Sequence, residues 1–140
     1  MTDLEIAKNA LNGHSIVLVK NGETIVSDKR GVAPLVDFLS EGKTFAGFSA
    51  ADLVVGKAAA MLFVKAGVKS VFAKVISSAG KAYLERHNVA VSFGEITEKI
   101  MNRTKTDVCP MEKTVENTDD FEQGFIALKN KLEELRNNKK

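Results

Sequence analysis

The 140-residue sequence predicts an α/β domain whose sheet is covered by helices on both faces. Three observations carry that reading. Apolar runs of strand length alternate with segments of helical spacing along most of the chain. Asn21-Gly22 lies between two β-branched runs, the strongest short-range hairpin signal available, so the sheet opens with an antiparallel pair. Residues 47–80 then join an almost wholly apolar helix, a strand rich in Val, Phe and Ile, and the opening of another helix. Such a succession makes the later strands parallel, so the sheet is mixed.

The elements follow in order. Thr2 and Glu5 have capping-box spacing, and Leu4, Ala7 and Leu11 share one helical face, so a first helix runs to Asn12-Gly13. Residues 16–19 and 24–26 are the hairpin strands. Pro34 fits the first turn of a short helix carrying Leu35, Val36, Phe38 and Leu39, which Glu41-Gly42 stops. Residues 45–49 read as a short strand. Asp52 caps a central helix that extends to Val68, interrupted only by Gly56, Lys57, Lys65 and Gly67. A helix apolar on nearly every side belongs inside a domain. Residues 70–76 form a buried strand, 79–87 a helix and 90–93 another strand, while 95–101 has no decisive pattern. Residues 102–108 are polar and basic without periodicity, hence a loop. Residues 110–116 form a short helix with Pro110 at its first position. Asp119 and Glu122 cap a final amphipathic helix over 119–136, with a stripe of Phe121, Phe125, Leu128, Leu132 and Leu135.

Composition narrows the function classes. Apolar residues make up 44% and charged residues 27%, the balance of an ordinary globular protein, and the length suits one domain with a proper core. A net charge of +2, no Trp and a single Tyr argue against nucleic acid or an anionic membrane as partner. The longest stretch without Asp, Glu, Lys or Arg is residues 9–19, well short of the roughly 20 apolar residues that span a bilayer. Asp3 and Glu5 sit where a signal peptide would be basic, and the lone Cys109 excludes an intrachain disulfide. The expectation is a cytoplasmic protein without a cofactor, with a homo-oligomer left open.

In sheets of this kind ligands gather outside the carboxyl ends of the parallel strands, where helices begin. That edge carries Asp52, Ser77 and Ser78, and two helix N-termini with free N–H groups there make an anion site. The plainer reading is that Asp52 and Ser77 or Ser78 cap their own helices. Lys57, one turn into the apolar helix, must bring its ammonium to water, a carboxylate or a phosphate, and Gly56 beside it lets a backbone or ligand approach closely. Asp52 and Lys57 are about 140° apart on a helical wheel, so they do not pair along the helix. Arg103 and Lys105 offer a fork and a point charge to a phosphate, or stay solvated on their loop. Cys109 precedes a helix start, where the dipole favours thiolate. It becomes a nucleophile only if folding brings His14 or His87 near, and is otherwise structural. Glu112 supports the N-terminus of its own helix.

Several segments together resemble a small family of uncharacterised prokaryotic proteins, a domain of unknown function. They are Ser27-Asp28-Lys29-Arg30-Gly31 with Pro34-Leu35, then Ala51-Asp52-Leu53-Val54-Val55-Gly56-Lys57-Ala58-Ala59-Ala60, then Ser77, Asn102-Arg103 and Cys109-Pro110-Met111-Glu112. The resemblance covers nearly the whole chain and implies a cytidine-deaminase-like fold, a three-layer α/β/α sandwich over residues 1–140, without an established activity. Zinc deaminases need ligands and a proton-shuttling Glu in the pattern H-x-E…P-C-x-x-C. The corresponding places here, Asp52 and Ser77-Ser78-Ala79-Gly80, lack them, and His14, His87 and Cys109 have no metal spacing. Zinc-dependent deamination is therefore not expected.

The sequence thus points to a deaminase-like domain without zinc that binds a nucleotide or another phosphate-bearing small molecule through Asp52, Lys57, Ser77, Ser78 and Arg103. The alternatives are an enzyme using Cys109 as nucleophile or redox centre, and an interaction module whose C-terminal stripe docks a partner chain.

Overall fold

Turn chemistry sets the first half of the molecule. The computed structural model describes residues 2–102 and 104–137. Helix α1 (Asp3–Ala10) begins where Thr2 Oγ1 accepts the Glu5 N–H at 3.1 Å. Strands β1 (Ile16–Lys20) and β2 (Glu23–Ser27) are joined by Asn21 and Gly22, both at positive φ (47° and 88°), as a tight two-residue hairpin turn requires. Helix α2 (Ala33–Ser40) carries Pro34 in its first turn, where a missing N–H leaves no bond unmade.

The second half alternates strand and helix: β3 (Ser49–Val55), α3 (Lys57–Ala66), β4 (Ser70–Ser77), α4 (Ser78–Arg86) and β5 (Ala90–Thr97), then α5 (Pro110–Thr114) and α6 (Phe121–Asn137). The sheet order is β2-β1-β3-β4-β5; β1 is antiparallel to both its neighbours, and β3, β4 and β5 are mutually parallel. On one face α1 packs Ala7 and Leu11 against Val17, Val19 and Ala51. The other face carries the larger core, to which α2 to α6 all contribute. The result is a three-layer α/β/α arrangement with a mixed sheet and an N-terminal hairpin. Among the described residues no helix is long and apolar enough to cross a membrane.

Four sequence expectations need correction. The stretch from Asp52 to Val68 is not one helix: Asp52 lies inside β3, and α3 starts only after Gly56, whose backbone is extended (φ −101°, ψ −171°). Most of the strand and of the helix is buried, and Leu53 and Val54 are exposed side by side, so the strand lacks the alternation that would have separated the two. Residues 45–48 are not a strand, and only Ser49 of the expected one belongs to β3. Gly47 turns at φ 80°, the Phe48 N–H returns to the Phe45 carbonyl at 2.9 Å, and the two rings pack edge to face. Strand β5 continues to Thr97, well past residue 93. The last helix is capped by Asp120, whose Oδ1 accepts the Glu122 N–H at 2.8 Å, and not by Asp119.

The stripe on α6 meets its own domain. Leu128 is fully buried, and Phe121, Phe125, Leu132 and Leu135 pack on the main core. At Gly124 a side chain would collide with Met61 of α3, its Cβ only 2.5 Å from the methionine methyl. Helix α3 is therefore apolar all round because the sheet lies on one side and α6 on the other. This geometry removes the expectation that the stripe waits for a partner chain.

Candidate functional site

The parallel strands β3 and β4 end where α3 and α4 begin, and the two first turns touch. A Cβ on Gly80 would stand 2.9 Å from the Gly56 carbonyl carbon and from the Val55 oxygen, so only glycine allows this approach. Ser77 caps α4, its Oγ accepting the Gly80 N–H at 3.0 Å. The plain capping reading of Ser77 holds. Ser78 is exposed in the first turn of α4, with its hydroxyl 3.5 Å from the Thr97 carbonyl.

Helix α3 starts differently. Its first two N–H groups, from Lys57 and Ala58, donate to the two oxygens of Glu112 at 2.8 and 2.9 Å. Glu112 stands in the first turn of its own helix, α5, as the sequence suggested, but the hydrogen bonds of both its oxygens go to the start of α3. A Cβ on Gly56 would lie 2.3 Å from Glu112 Oε1. The close approach that Gly56 permits is thus made by a side chain of the same protein. Burial raises the Glu112 pKa above the usual carboxylate value, against the two N–H bonds and the Lys57 charge, which lower it.

The Lys57 side chain is only 13% exposed. Its ammonium lies 3.0 Å from Asp119 Oδ1 and donates to the Glu116 carbonyl at 3.4 Å. Bonding to Lys57 holds the Asp119 carboxyl below its usual pKa. Tyr83 ties the same segment down by donating to the Asp119 carbonyl at 2.7 Å.

Beside these starts opens a cavity of about 490 Å³, lined by Lys57, Ser77 and Ala79 together with Lys99, Ile100 and Lys113 among others. It lies within the size range of small-molecule sites. Glu98, Glu112 and Glu116 also line it, so its charges are mixed. Lys113 is paired with Asp107. Among the described residues Lys99 has no ion-pair partner.

The structure therefore brings Lys57, Ser77 and Ser78 to one edge but leaves Asp52 away from the cavity. Asp52 is 6% exposed in mid-sheet, opposite Ile16 and Ala73. Burial pushes its pKa up to about 8, opposed by hydrogen bonds from the Leu53 and Val54 backbone. Beyond it the inside–outside alternation slips, for Leu53 and Val54 are both exposed before Val55 is buried. Arg103 lies outside the described residues. Cys109 is the partly buried N-cap residue of α5, packed against the core, and its thiol makes no capping bond. Both histidines have other neighbours: His14 Nδ1 is 2.7 Å from Asp28, and His87 lies against Tyr83 and Phe121. Among the described residues no group of three or more His, Cys, Asp and Glu side chains could hold a metal ion.

Sequence reasoning missed Lys99 and Ile100, and missed that Glu112 bonds to the start of α3. The signal for Glu112 was present in Gly56, a glycine immediately before a helix, which marks a close approach without saying by what.

These features define a layered α/β domain with a pocket at its strand ends and no recognisable metal centre among the described residues. The chain belongs to the TM1506 family, a domain of unknown function (DUF1893), which it matches over residues 6–132. It is similar to the crystal structure of a DUF1893 family protein (TM1506) from Thermotoga maritima. That match has a TM-score of 0.84 and 25% identity, over 94% of this chain and 91% of that one. A dCMP deaminase from the cyanophage S-TIM5 aligns at a TM-score of 0.43 and 16% identity, over 67% of this chain and 93% of that one. This second likeness is slight and bears no argument about chemistry. No curated protein matches the chain.

Proposed function

We propose that the domain binds a nucleotide or another phosphate-bearing small molecule in the strand-end cavity. The observation that carries this reading is the placement of that cavity. It lies against the first turn of α4, whose leading N–H groups have no partners within the helix, with Lys99 and Lys113 on its wall. Ile100, Val108 and Ala79 give the same space apolar surface for the remainder of the ligand. Glu112 already fills the N-terminus of α3, so the phosphate belongs at α4, near Ser78. Lys57 acts here by holding the segment that carries Glu116 and Asp119. Arg103 enters on its place in sequence, in the loop between Ile100 and Val108, and Asp52 drops out of the ligand set.

Native and denaturing mass spectra of freshly purified protein test the reading, followed by calorimetric titration with AMP. Extra mass in the native spectrum alone, or AMP binding that Lys99→Ala weakens about tenfold, is the expected result. That is the scale of one charge-assisted contact. A bare chain in both spectra together with no AMP binding overturns it.

A further inference from the structure

The opposite face of the sheet carries a second concavity, which the strand-end reading does not use. It is a groove of about 550 Å³ between α1 and the outer face of β3 and β4. Its floor is apolar, made by Leu53, which is 37% exposed, and by Phe72. Three cations line it: Lys8 from α1, Arg30 from the segment after β2, and Lys74 from β4.

The fold brings these cations to one groove without neutralising them. Among the described residues neither Arg30 nor Lys74 has a carboxylate partner, and Lys8 rests only on the Phe72 ring, 4.8 Å from its centroid. Among the described residues the one acid lining the groove, Asp28, is already bonded to His14 at 2.7 Å. The backbone leading to Arg30 is tied down, for the Ser15 hydroxyl lies 2.7 Å from the Ser27 carbonyl and 2.6 Å from the Lys29 carbonyl. Lys29 itself turns away to Asp37. Like charges gathered around one hollow repel each other and draw an anion in.

We propose that this groove is a separate binding site for a small molecule carrying a phosphate group beside an apolar portion. The phosphate sits among Lys8, Arg30 and Lys74, with Arg30 able to grip it through two N–H groups, and the apolar portion covers Leu53. The hollow has the volume of a small-molecule pocket, which favours such a ligand over an extended polyanion.

Amide chemical-shift mapping tests this with inorganic phosphate, AMP and adenosine as probes. AMP and phosphate should both move the His14, Ser15 and Leu53 amides, and adenosine should bind at least tenfold more weakly than AMP. Arg30→Ala and Lys74→Ala should each weaken AMP at these amides about tenfold while the remaining spectrum stays that of the folded protein. Lys99→Ala should leave these amides unaffected. Shifts at Ala79 and Ile100 report the strand-end cavity instead, so either site can fail alone. The proposal is overturned if millimolar AMP and phosphate leave the groove amides still, or if adenosine binds as well as AMP. Indifference to both cation substitutions, or a response only to long nucleic acid, overturns it equally.

Discussion

Two carboxyl groups, one buried in β3 and one partly buried against the start of α3, have different surroundings. Asp52 lies in mid-sheet with only backbone N–H groups to stabilise its charge, and burial carries its pKa to about 8. Glu112 lies at the first turn of α3, where two N–H groups and the neighbouring Lys57 ammonium work against burial. Desolvation raises both pKa values, more completely at Asp52. What separates them is whether the fold supplies positive charge, and it does so at the helix start, where the macrodipole adds to it. Glu112 thus joins α5 to α3 across 54 residues, whereas Asp52 joins nothing and is best accommodated protonated.

The largest way to sharpen this contrast is pH. The folded-state pKa of Asp52 lies above the value near 3.8 it would have unfolded, so between about pH 4 and pH 8 the native state holds a proton that the unfolded state has released. Its contribution to stability is complete below that window and is lost as pH rises through it, with a slope of up to about 1.4 kcal/mol per pH unit. Urea denaturation across the window should show this decline in the natural protein and a shallower one in Asp52→Asn. Parallel curves would mean that Asp52 does not titrate there.

Next is Gly56→Ala, whose new methyl must evict the Glu112 carboxylate. A loss of about 2–3 kcal/mol is expected by the same denaturation measurement. Glu112→Ala leaves the Lys57 and Ala58 N–H groups without their carboxylate and should lose about 2 kcal/mol. The double variant should be little worse than either single one, because both break the same contact. Simple additivity would show that Gly56 serves some other purpose. Ser77→Ala is the smallest, at about 1 kcal/mol, because α4 loses only a local cap. A Ser77 effect equal to that of Glu112 would erase the distinction between the two helix starts.

What could be read in the sequence follows the range of the interactions. Asn21-Gly22 and Pro34 specify their turns through their own backbone preferences, so the hairpin and α2 were legible. The parallel pairing of β4 and β5 was legible from the strand–helix alternation, but β3 itself was hidden, most of it read as the start of the central helix. The boundary between β3 and α3 was not legible, because Ala50, Ala51, Ala58, Ala59 and Ala60 are all buried and burial on every side removes periodicity. Glu112 was assigned to its own helix because a partner so far along the chain leaves no local trace except the glycine that makes room for it. The cations of the α1 groove went unnoticed for the same reason. Lys8, Arg30 and Lys74 come from three elements and meet only after folding.

The seating of Gly124 over Met61 has a consequence for how the protein is made. Helix α3 leaves the ribosome well before α6, and until α6 arrives Met61 and its neighbours lack their outer cover. The nascent chain therefore carries an apolar helix that it can shield only once α6 has been made. A chain stopped after Thr118 should bind a hydrophobic dye and engage chaperones, whereas the chain continued through Asn137 should do neither.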